Sequence, residues 1–153
     1  MSIQEKLKAL ALELPAVAAP AGAYVPAVVS GNLVFTAGQL PMKNGKLIAT
    51  GKVPGEVSLQ TAQAAARQAA LNALAAVASV AGTLDRVARV IRLNVFVNSS
   101  AGFTDQAKVA NGASDLLTAI FGDAGKHTRC AIGTAELPLN APVELDLIVE
   151  LRP

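Results

Sequence analysis

An arginine followed by small residues is the feature of this sequence most suggestive of chemistry. Arg129 begins a segment, Arg129–Ala135, whose alternation predicts a β-strand. On the arginine's face the strand also carries Ala131, Gly133 and Ala135. Because these side chains leave space beside it, the guanidinium is suited to bidentate capture of a carboxylate. A structural ion pair would explain the same arginine, and this pattern alone leaves both interpretations open.

A strand near the C-terminus presents an acidic face. Along Val143–Leu151 every odd position is apolar. The acidic residues Glu144, Asp146 and Glu150 occupy even positions and therefore point to the opposite face. A solvated strand face explains this pattern equally well. If the last two strands pair as a hairpin, Glu144 lies near Arg129 as an acid, a base or a water-orienting group.

Other familiar kinds of catalytic and binding site lack their residues in this sequence. A serine or cysteine nucleophile would have to use His127, which is the single histidine, and Cys130 is the single cysteine. We expect His127 to be an ordinary surface or supporting residue and Cys130 to be a small buried hydrophobe. The glycine spacing of dinucleotide and phosphate loops is absent. We therefore expect no metal site and no cofactor.

Composition indicates one folded domain that spans residues 1–153. Hydrophobic residues make up 52% of the chain and charged residues 16%, which excludes intrinsic disorder. No stretch approaches the roughly 20 apolar residues of a membrane span. A net charge of +2 without a basic run gives no electrostatic footprint for nucleic acid. The N-terminus lacks the pattern of a targeting signal, so we expect a cytoplasmic location.

Hydrophobic patterning predicts an α+β domain. The core is rich in alanine, with 31 alanines against four phenylalanines and one tyrosine, so we expect further burial between subunits. The predicted elements are an N-terminal helix Ser2–Leu14 within an extension of residues 1–15, a hairpin of Val28–Val29 and Leu33–Ala37, a short strand Leu47–Ile48, a helix Leu59–Ala81 between Ser58 and Gly82, a strand Val87–Val97, a helix Phe103–Phe121, and the two strands described above. This order predicts a mixed sheet with two helices packed on one face.

Short motifs along most of the chain together resemble one known family. They are Gly22-Ala23-Tyr24, Gly31-Asn32, Gly38-Gln39, Asn111, Arg129, Leu137-Pro138 and Val143-Glu144-Leu145. From about Ala21 to Leu151 the chain is similar to the RidA/YjgF family of reactive-intermediate deaminases, whose older labels are endoribonuclease L-PSP and translation inhibitor. The N-terminal helix and the longer segments near Met42–Gly55 and Asn98–Lys108 resemble those of a longer subgroup.

The resemblance implies a fold, an assembly and a reaction. The fold is chorismate-mutase-like, of the bacillary type, and it assembles as a homotrimer with clefts between subunits. Enzymes of the family hydrolyse enamine and imine intermediates such as 2-aminoacrylate to a 2-keto acid and ammonia, without a cofactor. The resemblance assigns catalytic roles to Arg129, which would clamp the substrate carboxylate, and to Glu144. It assigns substrate binding to Tyr24, Gly38, Asn111, Arg129 and Ala131.

Two alternative functions follow from the same resemblance. The first is a non-catalytic trimer that binds small carboxylates such as keto acids. The second is the endoribonuclease or translation inhibitor of the older labels, which the near-neutral charge, the lack of a histidine pair and the few aromatic residues disfavour. The chain has His127-Thr128-Arg129-Cys130-Ala131 where the family often has Pro-x-Arg-Ser/Thr followed by Cys, and Gly22-Ala23-Tyr24 where it has Gly-Pro-Tyr. These departures leave the carboxylate clamp in place and bear on substrate range and turnover.

Overall fold

A computed structural model of the chain describes residues 1–17, 19–20 and 22–153. Over these residues the backbone forms three α-helices and seven β-strands. The helices are α1 (Ile3–Ala9), α2 (Leu59–Ala81) and α3 (Gln106–Phe121). The strands are β1 (Ala27–Ser30), β2 (Leu33–Thr36), β3 (Met42–Lys43), β4 (Lys46–Leu47), β5 (Val87–Asn98), β6 (Thr128–Thr134) and β7 (Val143–Leu151).

Five of the strands form one mixed sheet in the order β1-β2-β7-β5-β6. β5 and β6 run parallel, and the other neighbours are antiparallel. α2 and α3 pack against each other and against the same face of this sheet, where they cover its central strands. The opposite face, called here the open face, carries the exposed side chains of Val28, Phe35 and Ile132. The predicted fold class, a mixed sheet with two helices on one face and an additional N-terminal helix, is therefore confirmed.

The longest helix, α2, is built mainly from alanine. The Ser58 hydroxyl accepts a hydrogen bond from the Thr61 N–H and caps the first turn, and Gly82, at a φ of 83°, follows the last turn. Nine of its twelve buried residues are alanines, which favour helix and let the sheet and α3 approach closely. By length and composition α2 could cross a membrane, but most of this apolar stretch is buried inside the protein.

The N-terminal helix is shorter than predicted. It begins with a capping box between Ser2 and Glu5 and buries Leu7, but it ends at Ala9 instead of Leu14. Beyond Ala9, the Leu12 N–H donates to the Leu7 carbonyl oxygen at 2.8 Å. Ala11 adopts a φ of 55°, so the helix ends in a Schellman motif with alanine in the position usually taken by glycine. The glycine signal that normally marks such an end is missing from the sequence.

Two other predicted elements differ in extent. The predicted strand Leu47–Ile48 is one half of a separate ribbon, in which β3 and β4 pair across the turn at Asn44 and Gly45. The second long helix begins at Gln106 instead of Phe103. A turn that contains Gly102, at a φ of 81°, keeps the preceding backbone out of the helical conformation.

Gly112 determines how closely α3 approaches α2. A β-carbon at this position would lie 2.9 Å from the Gln63 Cα atom and closer still to the Gln63 carbonyl oxygen. These are backbone atoms within a helix, so they cannot rotate away. We expect Gly112→Ala to lower the free energy of unfolding by about 1–3 kcal/mol, measured by urea denaturation.

The matched control is Ala119→Ser, which also adds one heavy atom to α3 but at an exposed position. This variant should stay within about 0.5 kcal/mol of the wild type. If Gly112→Ala unfolds at the same urea concentration as the control, the close helix contact does not limit stability.

Candidate functional site

Arg129 lies on the edge strand β6 and points toward the helix-covered face of the sheet. In the strand register it lies beside Leu93, which is fully buried. Its Nη1 donates hydrogen bonds to Asn111 Oδ1 at 2.8 Å and to Ser114 Oγ at 3.2 Å, and both acceptors belong to α3. The structure thus brings together Arg129 and Asn111, two of the predicted site residues.

The positive charge of Arg129 has no acidic partner in the part of the chain that the structure describes. The ion pairs there are Lys52–Glu136, Lys108–Asp105 and Lys126–Asp123. Both acceptors on Nη1 are neutral, and no described residue accepts a hydrogen bond from Nε or Nη2. The Nε–Nη2 edge presents two parallel N–H groups, which match the two oxygens of a carboxylate. This geometry supports carboxylate capture over the structural ion pair.

The space beside Arg129 is more restricted than the small residues on its strand face suggest. Ala131 is half-buried and packs against the core. A β-carbon at Gly133 would lie 2.9 Å from both Gln106 Nε2 and Ser99 Oγ. These two polar side chains fill the place of the missing side chain at Gly133. A ligand of Arg129 is therefore confined to the end of the strand near Arg129 and Ala131.

Glu144 and Gly38 lie against each other on the open face. Gln39 and Leu145 exchange backbone hydrogen bonds of 2.7 and 3.1 Å, which extend the pairing with β7 beyond the end of β2. Gly38 and Glu144 flank this pair, and a β-carbon built at Gly38 would collide with the Glu144 carboxylate. The position next to the acid must therefore be glycine for the carboxylate to keep its place.

The environment of Glu144 favours its protonated form. Burial raises the pKa of the Glu144 carboxyl, and the nearby negative charge of Asp146 raises this pKa further. Asp146 lies two residues from Glu144 on β7 and therefore on the same face, where it accepts a hydrogen bond from Asn94 Nδ2 at 2.8 Å. A glutamate with a raised pKa exchanges its proton closer to neutral pH, which suits general acid–base chemistry.

Arg129 and Glu144 lie on opposite faces of the sheet within one chain. In the strand register Glu144 lies beside Phe96, and Phe96 lies beside Ile132. Ile132 is three residues from Arg129 on β6, so it points to the other face. One chain therefore does not bring the two predicted catalytic residues together.

The last two strands do not pair as a hairpin, which was the condition for Glu144 to lie near Arg129 within one chain. β5 lies between β6 and β7 in the sheet. The connection between β6 and β7 passes the end of β5, where Asn98 holds it with two hydrogen bonds. The Asn98 side-chain amide donates to the Ala141 carbonyl oxygen at 3.1 Å, and the Asn98 backbone N–H donates to the Pro142 carbonyl oxygen at 2.9 Å. Buried Asn98 thus fixes a crossover that hydrophobic alternation alone does not reveal.

Tyr24 lies apart from both groups. It precedes β1, which forms the edge of the sheet opposite to β6. Its side chain is exposed, and a β-carbon at Gly22 would lie 3.5 Å from its ring. Within one chain the predicted site residues therefore occupy three places, with Arg129, Asn111 and Ala131 in the first, Gly38 and Glu144 in the second, and Tyr24 in the third.

Two residues that contact the arginine group were not identified as site residues from the sequence. Ser114 Oγ lies 2.9 Å from His127 Nε2, and His127 Nδ1 lies 2.6 Å from the Gly125 carbonyl oxygen. Ser114 follows Asn111 by three residues on α3, and this spacing on one helix face is the signal that could have identified it. His127 was expected to be a surface or supporting residue, and it contacts Ser114, which accepts a hydrogen bond from Arg129.

Cys130 is exposed in this chain, so the prediction that it is a buried hydrophobe is wrong. It lies beside Asn94 in the strand register and therefore on the open face. α2 and α3 cover the other face of the sheet, so alternation along β6 leaves the cysteine uncovered.

A cavity of about 1180 Å³ lies between the N-terminal segment, the β3–β4 ribbon and α2, and none of the predicted site residues lines it. Among the residues that the structure describes, no group of three or more His, Cys, Asp or Glu side chains could hold a metal ion.

Comparison with known proteins gives matches along nearly the whole chain. A family model described as "YjgF/chorismate mutase-like, putative endoribonuclease" matches residues 4–151. Protein TCP17 of Trypanosoma cruzi is 47% identical over 98% of this chain and 94% of its own length. A 2-iminobutanoate/2-iminopropanoate deaminase of Dermatophagoides farinae is 29% identical over 92% of this chain and 95% of its own length. A crystal structure of a "putative endoribonuclease" from Shewanella oneidensis has a TM-score of 0.95 at 36% identity, covering 99% of this chain and 100% of that one.

The raised pKa of Glu144 predicts a pH-dependent difference in stability between the wild type and Glu144→Gln. Between the ordinary and the raised pKa the native state holds more protons than the unfolded state, so wild-type stability falls as the pH rises through this range. Glutamine keeps the shape of the neutral acid. We therefore expect Glu144→Gln to be more stable than the wild type at about pH 7 and to lose this advantage at about pH 4.

Urea denaturation of both proteins at the two pH values measures this effect. The measurement at low pH is the internal control, because there the carboxyl is mostly protonated in both the native and the unfolded state. If the stability difference between Glu144→Gln and the wild type is the same at both pH values, the raised pKa is contradicted, and the difference arises from packing.

Proposed function

The chain belongs to the YjgF/chorismate-mutase-like family, and from this membership we propose that it hydrolyses enamine and imine intermediates of the 2-aminoacrylate type to a 2-keto acid and ammonia. The observation that carries the proposal is the Arg129 guanidinium, which Asn111 and Ser114 hold without neutralising it. The deaminase from Dermatophagoides farinae, at 29% identity, adds support for this reaction class.

Arg129 would bind the carboxylate of the substrate through its Nε–Nη2 edge. In an imino acid this carboxylate is attached to the carbon that carries the nitrogen, so a fixed carboxylate also fixes the reacting C=N bond. The two hydrogen bonds from Nη1 to α3 prevent the guanidinium from turning toward another acceptor. Substrate orientation of this kind is a large contribution to catalysis when the substrate is already reactive.

The reaction itself requires one water molecule and proton transfers. The enamine takes a proton on its terminal carbon and loses one from nitrogen, which gives the imine. Water adds to the imine carbon, and the resulting carbinolamine breaks its C–N bond to release ammonia and leave the C=O bond of the keto acid. The imine carbon is electrophilic from the start, so this sequence needs no covalent nucleophile on the protein.

Glu144 is the residue that we assign to the proton transfers and to the orientation of the water. Its raised pKa brings its proton exchange closer to neutral pH than that of an ordinary glutamate. Gly38 leaves the space that the carboxylate occupies, and the backbone pairing of Gln39 with Leu145 keeps this glycine in position.

We propose that a second copy of the chain completes the site, in a homotrimer with clefts between subunits. The argument is geometric, because one copy carries Arg129 and Glu144 on opposite faces of its sheet. The open face also exposes Val28, Phe35 and Ile132, which are apolar side chains suited to burial against another copy. In such an assembly Arg129 of one copy and Glu144 of the next would face the same substrate.

Replacement of Arg129 tests the carboxylate clamp. We expect Arg129→Ala to weaken binding of pyruvate, a stable keto acid, by about 10- to 100-fold, because charge-assisted hydrogen bonds are lost. The affinity of Arg129→Lys for pyruvate should lie between those of the wild type and Arg129→Ala, since lysine keeps the charge but not the planar guanidinium. Isothermal titration measures binding, and release of keto acid from freshly generated 2-aminoacrylate measures activity.

The matched control is Arg67→Ala, which removes an exposed arginine from α2 and should bind and react as the wild type does. Wild-type binding of pyruvate without faster release of keto acid would support the non-catalytic carboxylate-binding alternative. Cleavage of RNA by the pure wild type that is lost in Arg129→Ala would support the ribonuclease alternative. Wild-type pyruvate binding that persists unchanged in Arg129→Ala would contradict the clamp.

A mixing experiment tests whether Arg129 and Glu144 act from different copies. Arg129→Ala and Glu144→Gln are each expected to be nearly inactive. When equal amounts are unfolded together and refolded, about one quarter of the sites between copies should hold both native residues, and activity should return in that proportion. The control is to mix the two folded variants without unfolding them, which should not restore activity. No recovery after joint refolding would mean that the two residues do not share a site across copies.

A further inference from the structure

We infer that Ser114 and His127 are positioning residues that fix the orientation of Arg129. This inference rests on the proposed function, since it concerns the arginine that would bind the substrate carboxylate. Its basis is a continuous series of hydrogen bonds from Arg129 through Ser114 and His127 to the Gly125 carbonyl oxygen. Neither residue belongs to the site that the sequence predicts.

The direction of every hydrogen bond in this series follows from its fixed end. The Gly125 carbonyl oxygen can only accept, so His127 Nδ1 carries a hydrogen and donates it. In the neutral ring Nε2 is then an acceptor, and the Ser114 hydroxyl must donate to it. With its hydrogen committed to His127, Ser114 Oγ presents its lone pairs to Arg129 Nη1. The histidine therefore holds Ser114 in the orientation that accepts from the arginine.

The fixed end of the series is held firmly by the backbone. Gly125 closes the short 3₁₀ turn Gly122–Gly125 between α3 and β6. It is buried, and a β-carbon there would lie 3.0 Å from the Thr118 Cα atom and closer to the Leu117 carbonyl oxygen. The carbonyl of Gly125 is thus part of a tightly packed turn against α3.

The consequence for Arg129 concerns which of its edges is available. Ser114 and Asn111 together use both hydrogens of Nη1, so the Nε–Nη2 edge is left for a ligand. Without Ser114 the guanidinium keeps a single hydrogen bond to Asn111 and can rotate about it. A rotating fork binds a carboxylate less well, because its orientation must be fixed on each binding event.

Nitrogen-15 NMR of His127 tests the direction of the series. His127 is the single histidine of the chain, so its two ring nitrogens can be assigned without ambiguity. At about pH 8.5, where an ordinary histidine is neutral, we expect hydrogen on Nδ1 and a hydrogen-bonded acceptor at Nε2. Addition of pyruvate should shift the Nε2 resonance in the wild type but not in Ser114→Ala. Hydrogen on Nε2 instead would overturn the inference.

Pyruvate binding by matched variants tests the effect on Arg129. We expect Ser114→Ala to weaken binding about five- to tenfold, and Ser114→Thr, which keeps the hydroxyl, to stay within about twofold. His127→Gln, whose carbonyl oxygen can still accept from Ser114, should retain more affinity than His127→Ala. Ser79→Ala is the control, because that hydroxyl donates only to the Ala76 carbonyl oxygen of its own helix, at 2.7 Å.

The outcomes separate this inference from the proposed function. If the wild type binds pyruvate and Ser114→Ala binds it equally well, the positioning role is wrong while the clamp stands. If Ser114→Ala and Ser114→Thr weaken binding equally, the hydroxyl is not the cause and the inference also fails. If the wild type binds no small carboxylate, the proposed function fails, and the tautomer of His127 alone decides whether the series exists.

Discussion

The functional interpretation of this protein depends on how one guanidinium is held. Arg129 is attached to α3 by two neutral acceptors, Asn111 and Ser114, instead of by a carboxylate. Neutral acceptors fix the side chain while leaving its full positive charge to act on a ligand, whereas an acid in the same place would cancel that charge. The position of the whole group therefore depends on the packing of α3 over the edge strand β6.

The sheet separates the two kinds of chemistry that the family resemblance assigns to this chain. The cation lies under the helices at one edge, and the acid lies on the uncovered side beside Gly38. This separation keeps Arg129 from pairing with Glu144 within a single copy, so neither group neutralises the other before a ligand arrives. It also means that any site using both residues must be formed by association, and that its activity would depend on assembly.

Much of the fold could be predicted because the local signals were complete. The helix between Ser58 and Gly82 has its cap, its alanine face and its terminating glycine in the sequence, and the structure reproduces its bounds. The N-terminal helix was predicted too long because its end places Ala11, not glycine, in the left-handed conformation. The strand alternation of β6 and β7 assigned faces within each strand. It could not show that β5 lies between them, since strand order depends on a crossover that Asn98 fixes by long-range hydrogen bonds.

The candidate site was predictable to the same limited extent. The residues assigned by resemblance include Arg129 with Asn111 and Glu144 with Gly38, and the structure forms both pairs. Ser114 and His127 carry no motif, and their connection to Arg129 appears only when the turn after α3 brings the histidine back to the helix. Contacts of this kind depend on tertiary geometry, which single-sequence patterns do not contain.

The alanine surface of α2 has a consequence for how order is achieved in this core. Alanine has no side-chain torsion to fix, so its burial loses almost no rotamer entropy, whereas a buried leucine or methionine must give up several conformations. The buried alanine surface of α2 therefore makes close contacts with the sheet and α3 at almost no cost in side-chain conformational entropy. A helix of this composition acts as a preorganised support, and the shape of its buried surface follows mainly from the backbone.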